Sequence, residues 1–117
     1  MPSSTPPVPA KLRGMLKDYP GHIERLQEVL NHSVERSRRV PLMPFDDAIS
    51  ALDGRLRTFI MEARAELADA EKSGDPTAIA QAKEKERLMS FARSRNIGMA
   101  EIDDLWEYFN VNFAGQG

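Results

Sequence analysis

His22 and His32 are the only imidazoles in the chain, and there is no cysteine. Ten residues apart on one predicted helix, the two rings stand about 80° apart around the axis and nearly three turns apart along it. They cannot share a metal. Glu28 and His32 are i,i+4 neighbours, but zinc or iron needs three or four ligands, and no second Glu/His pair completes the set. Without cysteine, thiolate ligands, disulfides and a thiol nucleophile are all excluded. Ser33, Ser37, Ser50, Ser73, Ser90 and Ser94 fall on predicted helix surfaces or turns, none of them in a glycine-rich elbow. The seven glycines are scattered, so no loop offers consecutive backbone N–H groups to a phosphate. Glu62 and Glu66 share a helix face and could act as a carboxylate pair, although such pairs are ordinarily just solvated. The expectation is no catalytic residue, no cofactor, no metal and no small-molecule substrate, hence no enzyme of familiar type.

Six residues separate Arg25 from His32. That spacing resembles the arginine–spacer–histidine motif of the HEPN ribonucleases, an all-helical family, and would make His32 essential to a metal-independent ribonuclease. The resemblance covers those two residues alone. It departs from the family at Leu26, where a polar side chain is usual, and in placing the pair early in the chain.

Binding is the better-supported class. Trp106, Tyr108, Phe109 and Phe113 cluster near the C-terminal end, where aromatic residues of this kind can anchor a protein interface. Ala51, Gly54 and Thr58 form a small-residue edge on the central helix, along which another backbone could approach closely. These seven residues are the expected contacts for a protein partner, with self-association into a homodimer the leading case. The alternative partner is nucleic acid. Seven bases and four acids over residues 11–39 leave a net charge of +3, against −4 over residues 99–117. Lys11, Arg13, Lys17, Arg36, Arg38 and Arg39 would form the basic patch. The helix–turn–helix pattern over residues 91–109 does not help, because Glu101, Asp103, Asp104 and Glu107 would meet the phosphates.

These side chains must be carried by helices. At 117 residues, with 41% hydrophobic and 29% charged, the chain suits a single domain with a modest core. No apolar run approaches the roughly 20 residues that span a bilayer, and MPSSTPPVPAKL lacks the apolar centre of a secretory signal. A cytoplasmic protein without membrane contact is therefore expected. Residues 1–9, with four prolines, read as a mobile Pro/Ser-rich tail; residues 10–113 read as one helical domain, and 114–117 as a frayed end.

Leu12, Met15, Leu16 and Tyr19 predict a first helix from Ala10 to about Tyr19, broken at Pro20-Gly21. A second runs to about Arg38. Phe45, Ile49, Leu52, Leu56, Phe59, Ala63 and Leu67 recur at three- and four-residue steps, the period of a helix lying along another helix. Gly74-Asp75-Pro76 then supplies a left-handed closing residue, a cap and a first-turn proline, which folds the next helix back antiparallel. The chain thus reads as an all-α bundle of four to five helices around a long hairpin, about residues 45–73 and 76–95. Gly98, as a left-handed stop, precedes a last helix from about Met99 to Asn110.

Overall fold

A computed structural model describes residues 5–40 and 43–113. Among them are five α-helices, one 3-10 turn and no strand: α1 (Ala10–Met15), α2 (Pro20–Arg39), α3 (Pro44–Ser73), α4 (Pro76–Arg93), the turn Gly98–Ala100, and α5 (Asp103–Asn112). The all-α bundle follows from the apolar spacing, and its centre is α3.

The α3–α4 hairpin closes as the local chemistry requires. Gly74 adopts φ 72°, and its N–H reaches the carbonyls of Ala70 and Glu71. Asp75 accepts a hydrogen bond from the Thr77 N–H at 3.1 Å, and Pro76 opens α4, where its missing N–H costs nothing. Two ion pairs cross the hairpin: Lys85 to Glu66 at 2.8 Å and Arg93 to Asp53 at 2.9 Å. Each joins residues at comparable distances before and after the corner, as antiparallel rods demand.

On its other side α3 lies against α2, also antiparallel, with Arg25 bound to Glu62 and Arg36 to Asp47. Ser33 is fully buried here, and its hydroxyl donates to Asp47, so burial leaves no polar group stranded. Leu26, Leu30 and Val34 of α2 meet Leu52, Leu56 and Phe59 of α3 in the core, with Leu12 and Leu16 from α1, Met89 from α4 and Leu105 from α5. Beyond Ala63 on α3 and before Met89 on α4 no residue is buried. The hairpin therefore projects past its base, and the molecule measures 56 × 23 × 22 Å.

Several expectations need correction. The part of the tail that the structure describes is packed rather than mobile: Pro6, Val8 and Pro9 are buried, and Gln27 Nε2 donates to the Pro6 carbonyl at 2.7 Å. Prolines carry no N–H to desolvate, so an extended proline segment can lie on a helix at little polar cost. Residues 1–4, the rest of that tail, and the 114–117 end lie outside the described residues. The first helix stops at Met15, four residues early, because the chain turns through Leu16–Asp18 to place Pro20 at the start of α2. The last helix begins at Asp103 instead of Met99, after the 3-10 turn. Gly98 is not left-handed. It is needed for closeness: a Cβ there would overlap the Ala92 carbonyl.

Candidate functional site

The start of α3 and one face of α5 enclose an apolar groove. Pro44 sets the first turn of α3, and Asp46 and Asp47 suit the positive end of its dipole. Ahead of them Met43 holds φ 48°, the left-handed region that a residue with a Cβ rarely enters. Trp106, Phe109 and Asn110 of α5, with Phe113 just past its end, fall at helical spacing and line the groove with Phe45. Phe45 meets the Phe109 ring edge-on at 6.2 Å, and Phe113 stacks on Phe109 at 5.4 Å. Between them lies a cavity of about 280 Å³. Its mouth is apolar as well: Met43 is 69% exposed and Trp106 52%. Exposed Arg38 approaches the Phe113 end of the groove, where it and Ser37 lie beside Asn112 and Phe113, and Arg39 follows it at the end of α2. Asp103 and Glu107, on the first turns of α5, are exposed.

The seven residues expected to meet a partner divide three ways. Trp106 and Phe113 line this groove. Tyr108 and Phe109, expected on the surface, are buried at 6% and 4% exposure, because their side of α5 faces the core; Phe109 forms the groove floor. The Tyr108 hydroxyl is buried, and that burial raises its pKa against the opposing charge and hydrogen bonding of Arg38. Ala51, Gly54 and Thr58 lie elsewhere, lining a more polar groove between α2 and α3. Among the described residues, apart from the backbone of its own helix turn and its chain neighbours, no atom comes within 4 Å of a Cβ placed on Gly54, so close packing between helices does not require a glycine there. Met43 and Phe45 were missed by sequence reasoning. Phe45 entered the sequence reading only as the first residue of the α3 stripe, which marks it as core and not as part of a surface cleft.

The six basic residues do not form one surface. Lys17 precedes α2 and Arg36 lies 16 residues into it, about 24 Å further on at 1.5 Å per residue. Arg13 donates to the Val8 carbonyl at 3.0 Å, and Arg36 pairs with Asp47 at 2.9 Å. Lys11 remains on α1, while Arg38 and Arg39 stay with Arg36 at the C-terminal end of α2, where cations also suit the helix dipole.

The groups that could do acid–base chemistry are engaged separately. Glu62 binds Arg25 and Glu66 binds Lys85, so the two carboxylates do not act as a pair. The hydrogen bonds from Arg25 hold the Glu62 carboxyl below its ordinary value, and those from Arg93 do the same for Asp53. His22 lies 4.4 Å from the Phe59 ring, and its pKa is lowered by burial, then by the charges of Lys85 and Arg25. Arg25 is committed to Glu62, whereas His32 is exposed, and the two do not converge on one site. Among the described residues no three of His, Cys, Asp or Glu could hold a metal ion, and no helix is long and apolar enough to cross a membrane. No protein-family model matches this chain, nor does any curated protein or solved structure.

Proposed function

We propose that this chain is a non-catalytic protein–protein interaction module that binds a second copy of itself through the groove between α3 and α5. The observation that carries this reading is the apolar mouth, where Met43 and Trp106 stand in water beside an aromatic-lined cavity. A tryptophan half in solvent at the rim of a concave apolar site is the kind of anchor that dominates interface energetics. The left-handed backbone at Met43 supports it, since strain of about 1 kcal/mol is tolerated where it serves a site.

Charge selects the partner. Arg38, with Arg39 next to it in sequence, lies on the side of Phe113, while exposed Asp103 and Glu107 occupy the opposite, N-terminal half of α5. A twofold axis through the groove lays the basic end of one copy on the acidic end of the next, the self-complementarity that an isologous dimer requires.

Light scattering coupled to size exclusion tests the reading. A dimer is expected, converted to monomer by Trp106→Ala or Met43→Ser with unchanged far-UV circular dichroism. A wild-type chain that stays monomeric at the highest attainable concentration overturns it.

A further inference from the structure

We infer that the second groove, between α2 and α3, is a binding site for the phosphate group of a small organic phosphate. Two interhelical ion pairs frame it: Arg25–Glu62 toward the hairpin tip and Arg36–Asp47 toward the base. Between them the helices leave a cavity of about 420 Å³. His32 and Arg36 enter from α2, Arg55 and the Ser50 hydroxyl from α3. No carboxylate is among the lining residues. Arg36 shares its charge with Asp47, whereas Arg55 meets the Glu62 carboxylate only through longer-range charge attraction.

Two guanidinium groups, an imidazole and a hydroxyl on one concave surface present more N–H and O–H groups than a carboxylate can accept. The terminal oxygens of a phosphate monoester match them. The cavity is also larger than that group alone requires, and Val29 and Ala51 supply a neutral wall for a sugar-sized body.

Gly54 keeps the floor open. A glycine inside a 30-residue helix is destabilising relative to alanine, and here no neighbouring atom within 4 Å demands one. Any larger side chain would rise into the groove. This inference is independent of self-association, because the two grooves are lined by different residues.

Amide NMR titration of the full chain with ribose 5-phosphate, inorganic phosphate and ribose tests it. Ribose 5-phosphate is expected to shift amides around His32, Ser50 and Arg55 in a saturable way, about tenfold more tightly than inorganic phosphate, with ribose silent. Arg55→Gln is expected to weaken binding by about tenfold through charge. Gly54→Leu, which fills open space in a helix, is expected to abolish it through shape while leaving the circular dichroism intact. Arg87→Gln, on α4 and outside both grooves, is expected to bind as wild type does. Equal affinity for ester and inorganic phosphate overturns the organic ligand. Shifts spread evenly over Arg38, Arg39, Arg87 and Arg95, or no saturable shift in the groove, overturn the site itself.

Discussion

Arg25 of α2 grips Glu62 of α3 through two N–H···O bonds of 2.8 Å each, while its guanidinium carbon lies 4.7 Å from the centre of the Phe59 ring. One side chain thus joins a charge pair to the core. The pair is only partly shielded, at 33% and 43% side-chain exposure, so its worth is that of a well-aligned surface bridge. Arg25→Ala should cost about 1–2 kcal/mol in urea unfolding, the stacking on Phe59 included. Arg25→Lys should recover less than half, because an ammonium cannot make the fork. Equal stability of the alanine variant and wild type would show the pair to be energetically idle.

Stability should fall with acid in two stages. His22 has a folded pKa below its ordinary 6.5, so the folded state prefers the neutral ring. Its contribution is present above 6.5 and is lost as pH falls from there through the lowered folded value. Glu62 and Asp53 are depressed below 4.5 and 3.8, so their contributions disappear only in stronger acid, as each carboxylate is protonated. Thermal melts across this range should show both declines. His22→Phe, which keeps a ring against Phe59, should remove the first and leave the second.

Three glycines should respond differently to alanine. Gly98→Ala drives a methyl into the Ala92 carbonyl and should cost at least about 2 kcal/mol. Gly74→Ala keeps open space but must hold φ 72°, which costs about 1 kcal/mol. Gly54→Ala meets neither penalty and should stabilise the helix by about 0.5–1 kcal/mol. Denaturant midpoints for the three variants test the ordering; a destabilised Gly54→Ala chain would break it.

Val8 is 2% exposed although it sits between prolines near the start of the chain. Val8→Ala should lower stability by about 1–2 kcal/mol, a core-like loss. No change in melting temperature would mean that residues 6–9 contribute nothing to the fold.

The hairpin was legible in sequence because its signals are local and agree with one another. Gly74, Asp75 and Pro76 each favour the same corner, and the Phe45–Leu67 stripe supplies the period. The all-α bundle followed from that stripe and its neighbours. The aromatic groove was less legible, because composition shows that α5 is aromatic without showing which aromatics turn inward. Tyr108 and Phe109 went to the core, while Trp106 stayed out. Gly98 was read from its usual role at helix ends, whereas its true constraint is the approach of Ala92, six residues earlier in sequence. Pro6, Val8 and Pro9 were missed for a related reason. A proline-rich stretch has no periodicity to read, and only the finished surface of α2 and its neighbours reveals a place for it to lie.

The aromatic cleft and the Gly74 corner occupy opposite ends of α3. Two chains joined end to end through their clefts would aim their corners outward, giving a double-ended rod approaching twice the 56 Å length of one chain. Such a rod would act as a spacer, holding whatever touched its two extremities at a separation that neither chain could span alone.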